Sequence, residues 1–215
     1  MMSPRPQRVS RDDVLVAARD LLDAEGLDAL TMRRLGAALG ADPMTAYRHF
    51  AGKTELASAL ADEFWISLTL PDVDGVGDWK GYAARLMRGI RSALADHPGI
   101  IPIVATHPID SPAALTVADE AIGRLLDSGA PINPSLGDLV NVLVMLTVAS
   151  ALGEYSEPVG SDAGASQPNV SDESEALAAL PHLGKIVASG WTPLPERQFE
   201  SGLAAVLDGW RFHAQ

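Results

Sequence analysis

Apolar residues recur at helical spacing along nearly the whole chain, and no segment alternates with the two-residue period of a half-buried strand. That regularity restricts the chain to an all-α fold made of amphipathic helices and the breakers between them. Val14, Leu15, Ala18, Leu21 and Leu22 form one apolar stripe, Asp13, Arg19, Asp20 and Asp23 lie elsewhere on that helix, and Gly26 ends it. Thr31 predicts the N-cap of a short helix reaching Leu39 and closed by Gly40. Asp42-Pro43 predicts a second N-cap, with proline at the first helical position where its missing N–H costs nothing, opening a helix to about Phe50. Lys53 or Thr54 opens a longer helix toward Leu68.

The Gly- and Asp-rich stretch from Pro71 to Asp78 marks a junction, which divides the chain into a domain at 1–69 and a second at 70–215. Periodicity and breakers then predict helices at 78–96, 111–128, 135–154 and 195–213, with a short helical piece between Pro98-Gly99 and Pro108. Glu157 to Asp172 mixes Pro, Gly, Ser, Asp and Asn and reads as a mobile surface loop. The helix at 135–154 is apolar around its circumference: Leu139, Val140, Val142, Leu143, Val144, Met145, Leu146 and Val148 leave it no polar face. Such a helix must be covered on all sides, by its own domain or by a partner. The last helix has a narrower stripe of Phe199, Leu203, Val206, Leu207 and Trp210. Both also suit the core of a monomer.

Charge tells more by its distribution than by its total. The chain carries a formal −12, yet residues 1–53 hold eight basic side chains against seven acidic ones, so the remainder carries the acidic excess. A locally basic head on an acidic body can still present a positive face to phosphate. With no cysteine, disulfides, thiolate metal sites and cysteine nucleophiles are excluded. The first residues lack the apolar core of a signal peptide, and the uncharged stretch from Leu139 to Gly153 is shorter than the ~20 residues a membrane-spanning helix needs. The expectation is a soluble cytoplasmic protein that engages no membrane.

Residues 31–50 carry the functional signal. They hold a short helix, a tight glycine-containing turn and a second short helix, with Leu35, Leu39, Ala46 and Phe50 able to face inward. A helix-turn-helix places the start of its second helix in the DNA major groove. Pro43, Met44, Thr45, Tyr47, Arg48 and His49 would be exposed there. Arg can read guanine, hydroxyls and imidazole can reach phosphates or base edges, and Met or Pro can touch a thymine methyl. Each has a plainer role open to it: Arg34 as a solvated charge, Arg48 paired with an acid, Tyr47 partly in the core, His49 capping its helix.

The run LTMRRLGAALGADPMTAYRHFAGKTELASALAD resembles the N-terminal domain of the TetR family. The shared elements are Leu30-Thr31, Leu35, Gly40, the Tyr47-x-His49-Phe50 ending and Lys53-x-x-Leu56, preceded by VLVAARDLLDAEGLDAL. THP at 106–108 and FESGLAAVLDGW near the end resemble the C-terminal domain of that family's tetracycline-repressor subgroup. The resemblance implies a three-helix DNA-binding domain followed by a helical domain for effector binding and dimerisation. It further implies that Arg33 reaches a base or phosphate, and that Thr31 or the Met32 backbone N–H contacts phosphate. Pro43, Met44 and Thr45 read bases, Tyr47, His49 and Lys53 grip the backbone, and Arg48 does either.

By the same resemblance, a homodimer forms through the helices near 135–154 and 195–213, with Leu139, Val140, Leu143, Leu203, Val206, Leu207 and Trp210 at the interface. It would bind double-stranded palindromic operator DNA as a repressor and be released by a small molecule. Candidate effector contacts are Trp65, Leu86, Ile90, Thr106, His107, Pro108 and Met145, with Trp79 a weaker one. Leu86, Ile90 and Ile103 stand where a tetracycline–magnesium site would be polar or aromatic, so the expected effector is apolar, without metal or other cofactor. No phosphate loop, metal-spaced cluster or nucleophile elbow suggests an enzyme. Two other readings stay open at this point: an effector-independent DNA binder, and a helical dimeric interaction protein that does not bind DNA.

Overall fold

The computed structural model describes residues 9–74, 78–156 and 180–212, and these form helices joined by short turns, with no strand among them. In chain order the helices are α1 (Arg11–Glu25), α2 (Met32–Ala38), α3 (Pro43–Tyr47), α4 (Lys53–Ser67), α5 (Trp79–Asp96), α6 (Ile101–Val104), α7 (Pro112–Asp127), α8 (Pro134–Tyr155), α9 (Leu183–Ala188) and α10 (Pro195–Gly209). Single 3-10 turns at Leu27–Ala29 and Pro98–Ile100 lie between α1 and α2 and before α6. Six helices begin at a side chain that accepts from a backbone N–H of the first turn: Ser10, Thr31, Asp42, Asp78, Ser111 and Asn133. Each such cap typically contributes about 1 kcal/mol, which matters most for α2 and α3, too short to persist on propensity alone.

Two ends differ from the sequence pattern. The pattern carried the third helix to Phe50, but it stops at Tyr47 because the chain must turn there to drive Phe50 into the core. The last helix stops at Gly209 rather than 213, where Trp210 takes an extended conformation. Helix α9 has no counterpart in the sequence reading, and the loop expected at 157–172 lies outside the described residues.

The head is a small core of Val14, Ala18, Leu22, Leu30, Leu35, Ala46, Phe50, Leu56 and Leu60, all buried where α1, α2, α3 and the first half of α4 meet. Arg11 covers it from outside, its guanidinium 4.7 Å from the centre of the Phe50 ring. The second half of α4 continues into the body and packs against α6 and α7. The head meets the body a second time where α1 lies on the 3-10 turn at Pro98–Ile100. Gly99 permits that approach: a Cβ there would collide with the Leu22 carbonyl and stand 2.9 Å from the Asp23 nitrogen. Beside it His97 Nδ1 and Asp23 Oδ2 are 2.8 Å apart, and Arg19 pairs with Glu63 at 3.1 Å across α1 and α4.

In the body, α8 lies between α5 and α10. At 22 residues it is longer than the uncharged stretch at 139–153, and by length and composition alone it could cross a bilayer, but one side of it is already taken by the two helices. Its one buried polar side chain, Thr147, is satisfied by donating to the Leu143 carbonyl at 2.8 Å. Arg88 on α5 holds Glu200 on α10 with both arms of its guanidinium, at 2.7 and 2.6 Å, and Arg91 pairs with Glu154 while lying over the rings of Phe199 and Tyr155.

The hydrogen bonds from Arg88 hold the Glu200 carboxyl below its ordinary value of 4.5. A depressed carboxylate stabilises the fold above its unfolded-state value, and the contribution disappears as pH falls through the folded one. Glu200→Gln is therefore expected to unfold more easily than the parent at neutral pH. The gap should close below the carboxylate range and stay modest, because the pair is partly in solvent. Urea unfolding of both proteins across that range checks it; a gap that does not change with pH would remove the ion pair from the account.

Candidate nucleic-acid interface and effector cavity

Helices α2 and α3 are set by two glycines and two caps. Gly40, at φ 60, turns the chain in the left-handed region that side-chain-bearing residues rarely adopt. Gly36 lies so close to the start of α3 that a Cβ would stand 2.7 Å from Pro43 Cα and 2.9 Å from Pro43 N. With Leu35 and Ala46 fully buried between the helices, the rest of α3 faces outward. Met44 is 59% and Tyr47 46% exposed, one turn apart on α3, which leaves their side chains available for contact. Pro43 and Arg48 are exposed beside them, and Thr45 is half-buried.

Among the described residues, the head's arginines divide into two sets. Arg11 lies on Phe50, Arg19 on Glu63, and Arg34 on Glu25. Arg33 and Arg48 are exposed and have no ion pair among the described residues. Asp42, the acid nearest Arg48 in sequence, has one carboxylate oxygen accepting from the Met44 N–H at 2.8 Å. Two guanidinium groups without an ion pair, Arg33 on α2 and Arg48 at the end of α3, are thus exposed, as are Tyr47, Met44 and Pro43 of α3. Lys53 Nζ donates to the Leu27 carbonyl at 3.1 Å, which leaves two ammonium protons for another acceptor.

Three residues of the expected contact set are narrowed by their surroundings. Met32 has its side chain buried, so only its backbone N–H can meet DNA, as the resemblance implied. Its neighbour Thr31 accepts from the Arg34 N–H at 3.3 Å and keeps its hydroxyl proton to donate. His49 neither caps α3 nor points freely outward: its Nε2 is 3.0 Å from the Val9 carbonyl, fastening the recognition unit to the residues before α1. With Nε2–H donating to Val9, Nδ1 is an acceptor in the neutral ring and can donate to a phosphate oxygen only when it too carries a proton.

The body encloses an apolar cavity between α4, α5, α7 and α8. Trp65 lines it from α4, with Leu68 and Leu70 in the connector that follows; Ala83, Leu86, Met87 and Ile90 line it from α5; Val140, Leu143 and Val144 from α8. The α7 wall consists of Ala114, Val117, Ala118, Ala121, Ile122 and Leu125, with Ile109 just before it. The free space within is about 90 Å³, less than the roughly 150 Å³ of an apolar cavity known to admit benzene. Arg124 donates to the carbonyls of Leu70 and Pro71 at 3.0 and 2.8 Å, and Arg85 to that of Asp72 at 2.6 Å, so the connector is fastened to both α7 and α5.

Of the expected effector contacts, Trp65, Leu86 and Ile90 line this cavity, and Thr106, His107, Pro108 and Met145 do not. Thr106 is turned back on the Pro102 carbonyl at 2.8 Å and His107 on the Ile103 carbonyl at 3.0 Å, both closing the end of α6. Pro108 is exposed, and Met145 is 70% exposed on the far side of α8. Trp79 packs edge-on against Phe212, 5.3 Å between ring centres. The α7 wall cannot be told from an ordinary core stripe by its spacing of three and four; its alanines leave room rather than fill it.

The expected dimer residues also divide. Leu139, Leu143, Leu203 and Leu207 are buried within the chain's own core, and Val140 borders the cavity. Val206 and Trp210 are half-buried and border a surface groove with Val142, Ala205 and Gly209. The outer face of α8 carries Val142, Met145, Ala149 and Leu152, exposed at spacings of three, four and three. An all-apolar helix gives no phase, so its inner and outer faces could be told apart only by the packing of α5 and α10. Among the described residues no group of three or more His, Cys, Asp or Glu could hold a metal ion.

Two family models match the chain: bacterial regulatory proteins of the tetR family over residues 14–60, and the tetracyclin repressor-like C-terminal domain over residues 70–213. The tetracycline repressor protein class A from transposon 1721 of Escherichia coli is 30% identical over 207 residues, covering 94% of this chain and 90% of that one. The HTH-type transcriptional repressor DrrR1 of Streptomyces coeruleorubidus is 27% identical over 217 residues, covering 96% and 78%. Among solved structures, ActR of Streptomyces coelicolor in complex with actinorhodin superposes with a TM-score of 0.78 at 26% identity, covering 94% of this chain and 97% of that one.

Proposed function

Since the chain belongs to the TetR family of bacterial regulatory proteins, we propose that two copies grip a palindromic operator through α2 and α3 and release it when an apolar effector fills the α4–α8 cavity. The chain is a DNA-binding transcriptional repressor controlled by a small molecule. Residues 1–69 supply the DNA contacts, and residues 70–215 the effector site and the dimer contacts. The observation that carries the assignment is that α3 buries Ala46 and leaves Met44, Tyr47 and the unpaired Arg48 exposed, with Arg33 on α2 likewise exposed and without an ion pair among the described residues. Arg48 and the first turn of α3 face the base edges, and Thr31, the Met32 N–H and Lys53 hold phosphates. His49, anchored to Val9 through Nε2–H, adds a phosphate contact from Nδ1–H only in its doubly protonated form, and otherwise steadies the unit.

The dimer uses the outer face of α8, with Val142, Met145, Ala149 and Leu152, together with Val206, Trp210 and the small residues of α10. Leu139, Leu143, Leu203 and Leu207 support that face from beneath. Two-fold symmetry would set the two α3 helices about one turn of duplex apart, matching a palindrome. The cavity is already nearly filled by its own walls, so an effector larger than the free space must push α4, α5, α7 or α8 apart. α4 runs from the cavity into the head, so a displaced Trp65 reaches the DNA-binding unit through a single rigid helix. The effector thus binds the widened form far better than the closed one, which is the differential affinity that control requires.

Duplexes selected from a random pool, or taken from DNA upstream of the coding region, test this by gel shift. The expected result is a competitor-resistant complex holding two chains per palindrome, weakening steeply as salt rises through release of phosphate counterions. A complex indifferent to salt, or one chain per duplex, would overturn the assignment of the interface.

A further inference from the structure

The cavity lining is aliphatic except for the Met87 thioether and the Trp65 indole. Trp65 is 6% exposed, and its Nε1 is a buried donor with no hydrogen-bond partner. Buried N–H groups are nearly always paired, so an orphan asks for an explanation. Water is a poor one, because an ordered water needs two to four polar partners and these walls offer a single donor. The Tyr82 hydroxyl on α5 is orphaned too, but Tyr82 does not line the cavity.

We propose that the effector is an uncharged, largely hydrocarbon molecule bearing one hydrogen-bond acceptor, a ketone, quinone or ether oxygen, that accepts from the Trp65 indole N–H. The inference rests on the cavity being the effector site and adds the chemical class that it selects. A charged ligand is excluded by desolvation, since nothing in these walls compensates a charge. A pure hydrocarbon is admitted but leaves the donor unpaired. A site built around one buried donor discriminates against the analogue that lacks the acceptor, because that complex leaves the N–H unsatisfied. Seated on α4, the donor also ties recognition of the acceptor to the helix that leads to the head.

1-Indanone and indane, which differ by a carbonyl in place of a methylene, form the matched pair of probes. Both are titrated into the full chain by calorimetry. The expected result is that Trp65→Phe weakens the ketone about five- to tenfold relative to the hydrocarbon, the loss typical of one neutral hydrogen bond. Taking the ratio removes the effect of the smaller ring on packing. An unchanged ratio would overturn the role of Trp65 and leave the apolar effector site standing, because both probes would still bind. If neither probe binds a chain that still binds DNA, the cavity reading fails and takes this inference with it. The infrared carbonyl stretch of indanone bound to the unsubstituted chain needs no variant. A shift to the hydrogen-bonded position supports the pairing, and a stretch at its position in hydrocarbon solvent overturns it.

Discussion

A chain carrying Tyr47→Ala and Arg48→Ala together is expected to lose operator affinity by about 100-fold or more, with no change in its thermal unfolding. The magnitude follows from one arginine contact to a base edge or phosphate and one aromatic contact, each typically worth 1–3 kcal/mol. The stability expectation follows from exposure: Tyr47 is 46% exposed and Arg48 is exposed with no ion pair among the described residues, so neither removal opens the core. Arg48 alone can then be assigned by the shape of the loss. If it reads a base, Arg48→Ala relaxes the preference at one operator position and leaves the salt slope nearly unchanged. If it holds a phosphate, affinity falls evenly across sequences and the slope drops by about one. Competition titrations at several salt concentrations separate the two. Full operator binding by the double variant would sink the assignment of α3 as the reading helix.

The head was legible because its signals are local. Thr31, Asp42-Pro43 and Gly40 announce two caps and a turn by chemistry that acts within a few residues, and the structure places them in those roles. The inward set Leu35, Leu39, Ala46 and Phe50 follows from spacing alone; Leu35, Ala46 and Phe50 are buried, and Leu39 is half-buried against the same core. What sequence could not give is which polar groups are already spent. Arg33 and Arg34 are neighbours of the same type, yet only Arg34 has an acid within reach, and that acid, Glu25, is on another helix. His49 finds its partner forty residues earlier, in the Val9 carbonyl.

In the body the difficulty was phase rather than content. The helices of 79–127 were located within a residue or so, but α8 is apolar all round, so spacing could not say which leucines face the cavity, the core or solvent. Val140 and Leu143, expected at an interface, line the cavity for that reason, and Met145, expected at the effector, is exposed on α8. The cavity itself depends on what is missing. Ala83, Ala114, Ala118 and Ala121 are unremarkable core residues one at a time, and only their convergence from α5 and α7 leaves a space.

Gly36→Ala is the sharper test of how the head works, since a single methyl group reports on the geometry of the whole reading unit. Gly36 lies inside α2, where alanine ought to help: intrinsic propensity favours alanine over glycine by about 1 kcal/mol. The opposite is expected here. The added Cβ would stand 2.7 and 2.9 Å from Pro43 Cα and N, backbone atoms that no side-chain rotation can withdraw. Relief requires α3 to move off α2, and overpacking of this kind typically costs 1–3 kcal/mol, enough to outweigh the propensity gain. Ala46 and Leu35, both fully buried in that contact, lose their close packing as α3 shifts. In the proposed complex the angle of α3 also sets where Met44, Tyr47 and Arg48 would meet the groove. Operator affinity is therefore expected to fall at least tenfold beyond what the stability loss alone would cause, a misplacement effect that contact energies of 1–3 kcal/mol readily supply. The cavity between α4, α5, α7 and α8 touches neither α2 nor α3, so binding of 1-indanone by the variant should match the parent within error. Thermal unfolding, a gel shift and the probe titration on one preparation distinguish the outcomes. A variant that is more stable than the parent and binds operator normally would mean that α2 and α3 are not held as closely as this geometry requires.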